Sequence, residues 1–453
     1  MLEHERPGCR KVPGLSTAGG DLRADDALTM RFPAGADQSE IPAMIDYCIR
    51  CVGWKQWRRR VEWIAEQVRT NPVMPNFLTE RFGLELAFTE VMRHRRISGR
   101  CPWPPATSDQ QRLYSFCAVF SRSHLRLTSK GKARLAGMLR DALQSDYGLA
   151  PLAFEMLVVA HLIAKEFDVE FSDAEKGCGF DFLGQKDGVE LEVECKLISG
   201  DIGRQIHKKR MYQLGSVLLS TLEMIKSRKT GLYIVHLAIP AALGATTELH
   251  QQLAQLALSA IEVPGETIRT DSYQAIASRA EIPKNFLPTL ASGELTQEQI
   301  KEIAELHFGL VDRNVLMGFD RHGNGAFISI KSAKSDKVLD GIRRQLRDAA
   351  KRQFSGSRPG ILWCQLLDVT EEELLDLATS DGTPTGLQIM ANRVLRGRPV
   401  IHTLAFSTPG AVKVAKAQEH GMEATTAYQS GGVYAFYNPS NSHAGIPLYD
   451  LFS

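Results

Sequence analysis

Residues Val189-Glu190-Leu191-Glu192-Val193-Glu194-Cys195-Lys196 alternate apolar and charged side chains without a break. A period of two is that of a β-strand, so Val189, Leu191, Val193 and Cys195 share one face while three glutamates and Lys196 share the other. Glu194 and Lys196 then project side by side. Upstream, Asp181 stands between Phe180 and Phe182, an acid flanked by residues that favour burial. This places it at the edge of a core, aimed at the same pocket. Two carboxylates and a lysine converging in this way suit a hard divalent cation: Mg²⁺, or Mn²⁺ in its place, takes one or two carboxylates together with retained waters and phosphate oxygens. The lysine can orient the attacking water and stabilise developing negative charge, while the metal supplies Lewis acidity. This is equipment for hydrolysing a phosphodiester bond. An acid-x-Lys pair is also common on solvated sheet faces, and Glu190 and Glu192 read by default as supporting or solvated residues.

At these residues the sequence resembles the PD-(D/E)XK nuclease superfamily, the restriction-endonuclease-like fold. That family carries an acid on one strand and, on the neighbouring strand, an acid, any residue and a lysine; Asp181 takes the first place and Glu194-Cys195-Lys196 the second. Phe180 stands where the family name has proline, a position loosely kept in the superfamily. The family often adds a glutamate on the helix before the first strand, and Glu155 is the only acid between Leu152 and Ala164. Its core runs helix, three strands, helix, strand, an order this chain repeats. The helix after the lysine strand, from about Gly203, carries Arg204, Gln205, His207, Lys208, Lys209 and Arg210. Gln205, with Lys208 one turn on, is the expected hold on the scissile phosphate, and Arg204 a further nucleic-acid contact.

The resemblance implies Mg²⁺-dependent hydrolysis of DNA, or of RNA. Asp181 and Glu194 are the implied metal ligands, the Cys195 carbonyl a third, Glu155 an auxiliary ligand and Lys196 the water-orienting or charge-stabilising group. It covers roughly residues 150–240, extends through the strands at 326–330 and 360–367, and does not reach the N-terminal region. The alternative is a nuclease-fold module without catalysis that binds nucleic acid or a protein partner. A nuclease with no helicase segment in the same chain fits bacterial defence against foreign DNA, as a homodimer or with a defence-system partner protein.

The elements that must position these residues follow from hydrophobic spacing. Residues 1–40 show no sustained period and read as a loose tail. From 41 to 147 the spacing is helical, with segments near 41–52, 54–69, 78–95, 108–123 and 130–143. From 148 to 453 the pattern becomes α/β. A helix at 151–166 leads to strands at 169–171, 180–183 and 189–197, a helix at 203–227 and a strand at 231–237. A helical insertion is expected at about 243–315, with helices at 243–261, at 273–279 and from Thr296. Strands at 326–330, 360–367, 400–406 and 432–437 and a helix at 336–354 complete the pattern. The expected class is a restriction-endonuclease-like mixed sheet flanked by helices, with an all-helical N-terminal domain.

At 453 residues the chain is long enough for two or three domains without disulfide staples. A charge of +2 from 54 basic and 52 acidic residues excludes a histone-like or polyanionic protein. Basic residues are concentrated in the first 140, where Trp54, Trp57 and Trp63 interleave with Lys55, Arg58, Arg59 and Arg60. Such a cluster can grip a nucleic-acid backbone, although tryptophans in the core with solvated arginines is the default expectation. Eight cysteines are too few for a disulfide framework, and Cys48-Ile49-Arg50-Cys51 is a single CxxC without a second pair, so these cysteines read as helix core. Gly318 to Gly325 reads as a hairpin turn. The longest apolar run, Leu152 to Ala164, is interrupted by Glu155 and His161 and falls short of the ~20 residues of a membrane span. The expectation is a cytoplasmic protein with no membrane contact.

Overall fold

A computed structural model describes residues 33–34, 40–70, 75–102, 107–228, 231–286, 302–310, 314–320, 322–367, 369, 374–375, 377, 386–409, 412–414, 424–425, 428–430, 433–438, 440–443 and 451–452. The tail expected at 1–40, apart from Pro33, Ala34 and Glu40, lies outside these residues, as does the start of the helix expected from Thr296.

The helical spacing of the N-terminal region resolves into α1 (Glu40–Val52), α2 (Trp54–Thr70), α3 (Pro75–Ser98), α4 (Ser108–Arg126) and α5 (Ser129–Ala142). Thr107 and Thr128 cap α4 and α5, each hydroxyl accepting an otherwise unpaired N–H of the first turn. These helices do not close on themselves. One continuous core joins α1 and α4 to α6 (Ala150–Ala164) and, beyond it, to Leu191, Val193, Cys195, Ile361 and Trp363.

Those last residues belong to a six-stranded mixed sheet. Besides the short ladder of β1 (Pro33–Ala34) with β13 (Ala424–Thr425), the chain builds β2 (Asp168–Glu170), β3 (Phe182–Lys186), β4 (Val189–Ser199), β10 (Gly360–Leu367), β11 (Ile401–Ser407) and β15 (Tyr434–Tyr437). Their order across the sheet is β15-β11-β10-β4-β3-β2. β2, β3 and β4 are antiparallel, whereas β10 runs parallel to both β4 and β11. Asp187 and Gly188, both at positive φ (50° and 79°), form the two-residue turn between β3 and β4. The opposite face of the sheet is covered by the helices Val338–Arg352 and Gly386–Leu395, which pack on Leu362, Cys364, Leu366, Leu404 and Phe406. Alternate residues of β10 thus enter different cores, which explains its unbroken apolar sequence.

A second sheet lies between β4 and β10 in the chain. It contains β5 (Leu232–Ile239), β6 (Thr267–Arg269), β7 (Gln274–Ala280), β8 (Val315–Phe319) and β9 (Gly325–Ser332), in the order β6-β7-β5-β9-β8. α8 (Lys208–Arg228) and α9 (Thr247–Glu262) pack on one face. The strand at 231–237, expected as the last strand of the nuclease-like core order, is in this second sheet, and so is the strand at 326–330. The stretch at 273–279 is strand, not helix: Ala275 and Ala277 are buried while Gln274, Ile276 and Ser278 are exposed, a period of two that overrides the helix propensity of alanine. The expected insertion at 243–315 is therefore part of an α/β layer and is not purely helical. The chain leaves and re-enters the first layer at one point, where the Lys337 N–H donates to the Gly203 carbonyl at 2.8 Å. Gly203 has φ +73°, and a Cβ there would stand 2.3 Å from the Lys337 carbonyl oxygen.

At the end of the chain β12 (Val412–Val414) pairs with β14 (Tyr428–Ser430). β8 and β9 pair antiparallel as the expected hairpin, with Asp320 accepting from the N–H groups of His322 and Asn324. Among the described residues no helix is long and apolar enough to cross a membrane.

Candidate active site

Leu191, Val193 and Cys195 point into the core beneath α6, as their alternation requires, which turns Glu192, Glu194 and Lys196 to the other face. Asp181 immediately precedes β3 and is held by three contacts, two of them to β4. Its N–H donates to the Val193 carbonyl at 3.1 Å, its Oδ2 accepts the Cys195 N–H at 2.7 Å, and its carbonyl accepts from the Asp173 N–H at 3.4 Å. Asp181 therefore meets β4 at the Glu194-Cys195-Lys196 triplet. The Lys196 ammonium pairs with Glu194 Oε1, whereas Glu194 Oε2 is buried and has no hydrogen-bond partner among the described residues.

The electrostatics are those of crowded acid. Burial, then the Asp181 charge, pushes Glu194 up to about 8 although Lys196 pulls the other way. Burial likewise pushes Asp181 up to about 6 against the Cys195 N–H and Lys196. Glu155, from the second turn of α6, is driven well above the carboxylate range by burial and by Asp181 and Glu194. Burial alone would lower Lys196, but the Glu194 and Asp181 charges outweigh it and raise the ammonium. Burial and the neighbouring carboxylates hold the Cys195 thiol protonated, so a ligand role at this residue falls to its carbonyl.

Asp181, Glu194, Cys195 and Lys196 thus meet at one place, with Glu155 near enough for its charge to act on them; the expected phosphate holders are arranged differently. α8 starts at Lys208, so Gln205 precedes the helix and the two do not share a helical face. Asp201, whose Oδ2 accepts the Lys208 N–H at 2.8 Å, holds the helix start back. The Gln205 main chain is engaged at both ends, its N–H donating to Asp336 at 2.7 Å and its carbonyl accepting from Leu243 at 2.9 Å. Arg204 Nε donates to the Gly200 carbonyl at 2.7 Å, and its guanidinium lies 3.4 Å from Asp336. Arg204 and Gln205 here tie the second layer to the first.

Two partners were not singled out from sequence. Asp173, on α7 (Ser172–Lys176), adds negative charge that acts on Asp181, Glu194 and Glu155, and pairs with Arg134 at 2.8 Å. Its only signal was proximity to Asp181 in the chain. Glu192, taken as supporting or solvated, is fully buried and receives the Ser355 N–H at 2.8 Å and the Ser355 hydroxyl. The single CxxC is helix core: Cys48 is buried against the Cys117 carbonyl, and His124 is engaged by Tyr47 and by the Lys132 carbonyl.

A cation fits this donor set. A buried carboxylate oxygen with no partner among the described residues, beside Asp181 and Glu155 and one lysine, is under-supplied with positive charge. Among the described residues no three His, Cys, Asp or Glu side chains form a ready-made cage. Asp181 and Glu194, completed by a main-chain carbonyl and water, match the sparse protein coordination that Mg²⁺ accepts. Compared with known proteins, the chain matches no family model, no curated protein and no solved structure.

Proposed function

We propose that this chain is a metal-dependent nuclease, with a restriction-endonuclease-like core, that hydrolyses phosphodiester bonds in DNA. The observation that carries the proposal is the meeting of Asp181 with Glu194 and Lys196, where a buried Glu194 oxygen lacks a partner. The order of strands β2-β3-β4-β10, antiparallel and then parallel, supports it. Asp181 and Glu194 would hold Mg²⁺ or Mn²⁺ with the Cys195 carbonyl and Glu155 in support; the ion, when bound, supplies Lewis acidity to the phosphoryl group. Lys196, drawn toward Glu194, keeps its proton at neutral pH and stands ready to orient water and to stabilise charge on the phosphoryl oxygens. Glu155, protonated by its surroundings, can share or release a proton as the local charge changes.

The test is cleavage of double-stranded DNA, single-stranded DNA and RNA in buffers freed of trace metal, with and without Mg²⁺ or Mn²⁺. Cleavage should require metal and vanish in Asp181→Ala. No cleavage of any substrate by the wild type would overturn the proposal in favour of a nuclease-fold binding module.

A further inference from the structure

A second polar pocket lies in the helical layer and shares no residue with the Asp181 and Glu194 site. It measures about 280 Å³ and opens between α2 and the turn from α5 to α6, lined by Gln56, Arg59, Arg60, Trp63, Gln144 and Asp146 among others. That is close to the ~300 Å³ at which small-molecule pockets begin.

Trp63 is 40% exposed, departing from the expectation that the tryptophans of this helix are core; only Trp57 is fully buried. Arg60 is itself 5% exposed and stacks its guanidinium 4.8 Å from the Trp63 ring. One of its guanidinium nitrogens donates to the Ser145 carbonyl at 3.0 Å, while its buried Nε lies 3.5 Å from Glu85 Oε1 and has no hydrogen-bond partner among the described residues. Burial pushes its ion-pair partner Glu85 up to about 7, so near neutral pH that acid offsets the guanidinium only in part. Arg59 is exposed and forms no ion pair among the described residues. Asp146 is bridged at 3.5 Å by Lys209 from α8, which offsets the one acid at the rim.

We propose that this pocket binds a nucleoside phosphate, with its base against Trp63 and its phosphate at Arg59. An indole face rigidified by a stacked guanidinium is a platform for a planar base. Gln56 and Gln144 each offer an amide donor and acceptor, the pairing that a purine edge presents. Asp146 suits ribose or amino hydrogens, and Arg59 supplies the free cation for the phosphate. An acidic peptide would use the cations but leave the indole and the amides idle. The nucleotide can come free from solution or as one unit of a single strand. The second source fits the chain's layout, because the turn runs straight into α6 and a rise of about 1.5 Å per residue puts Glu155 roughly 8 Å along that helix from its start.

The experiment measures binding to the full chain in EDTA, so its failure leaves the cleavage assays untouched. The probes are 5′-AMP by calorimetry and a fluorescent 5′-phosphorylated oligo(dA) by anisotropy. Trp63→Ala and Arg59→Ala should each weaken binding about tenfold or more, while Trp63→Phe, which keeps a ring, stays near wild type. Binding of 5′-AMP identifies the free nucleotide; binding of the oligonucleotide alone, with the same dependence on Trp63 and Arg59, identifies a unit of a strand. Failure of the wild type to bind either probe, or equal binding by all variants, overturns the proposal.

Discussion

Replacing Glu194 with glutamine should stabilise the metal-free protein at neutral pH while removing its response to metal. Glu194 is 1% exposed, and its carboxyl titrates at about 8 in the fold against 4.5 in an unfolded chain. A folded pKa above the unfolded one means that the native state binds more protons between those values. Stability from this group is complete below pH 4.5 and is lost as pH rises toward 8. At about 1.4 kcal/mol per pH unit the full interval sets an upper limit near 5 kcal/mol. Sharing of charge with Lys196 and Asp181 reduces the effect to on the order of 2 kcal/mol. For a domain of ordinary size that corresponds to roughly 4–8 °C in Tm. Thermal unfolding in EDTA from pH 5 to pH 8 should therefore show the wild type losing more stability than Glu194→Gln, with the variant ahead at pH 8. Excess Mg²⁺ or Mn²⁺, at about a hundred times Kd, should raise the wild type by about 2.7 kcal/mol at pH 8 and less at pH 5, where protons compete for the carboxylates. The variant should not respond. Parallel curves for the two proteins across this range, with equal shifts on adding metal, would refute both the strained carboxylate and its assignment as a ligand.

Lys196→Ala should bind metal nearly as well as wild type by calorimetry, yet lower the single-turnover cleavage rate by on the order of 10²-fold, as expected for a group acting mainly in the transition state. Gly203→Ala combines φ +73° with a Cβ 2.3 Å from the Lys337 carbonyl oxygen. It should cost about 1–3 kcal/mol in urea unfolding and hasten proteolysis where the two layers join. Glu192→Ala strips a buried acceptor from the Ser355 N–H and hydroxyl. A loss of about 2–3 kcal/mol is expected, with metal affinity retained; loss of metal binding without loss of stability would move Glu192 into the site.

Local periodicity identified elements well and their partners poorly. The alternation over 189–196 gave the correct face to every residue from Leu191 to Lys196, because burial beneath α6 enforces a period of two. The five helices of residues 40–142 were legible for the same reason. That β5 pairs with β7 and β9, leaving β10 beside β4, depends on contacts remote in sequence, and a buried apolar strand reads the same in either sheet. The segment at 273–279 misled because its alanines favour a helix while its burial alternates. The apolar spacing does not mark where α8 begins, so Gln205 reads as part of it, whereas the Asp201 side chain, which accepts the Lys208 N–H from outside that pattern, fixes the start.

A buried acid beside a base is by itself weak evidence of function, and the chain contains an internal control. Arg60 and Glu85 are also buried and paired, and burial lifts Glu85 as well, to about 7. Glu85, however, receives the Leu149 N–H at 3.1 Å and faces a guanidinium anchored to the Ser145 carbonyl, so one acid stands opposite one base. Around Glu194 the balance is broken: with Asp173 matched by Arg134, Glu155 and Asp181 still crowd one lysine, and among the described residues one carboxylate oxygen is left without a donor. A sequence selected only for stability would relieve such crowding with an amide or an apolar side chain, as buried ion pairs generally permit. An excess of buried acid, and not the mere presence of a pair, is therefore what separates the two sites, and it is the ground on which a cation is proposed at Glu194.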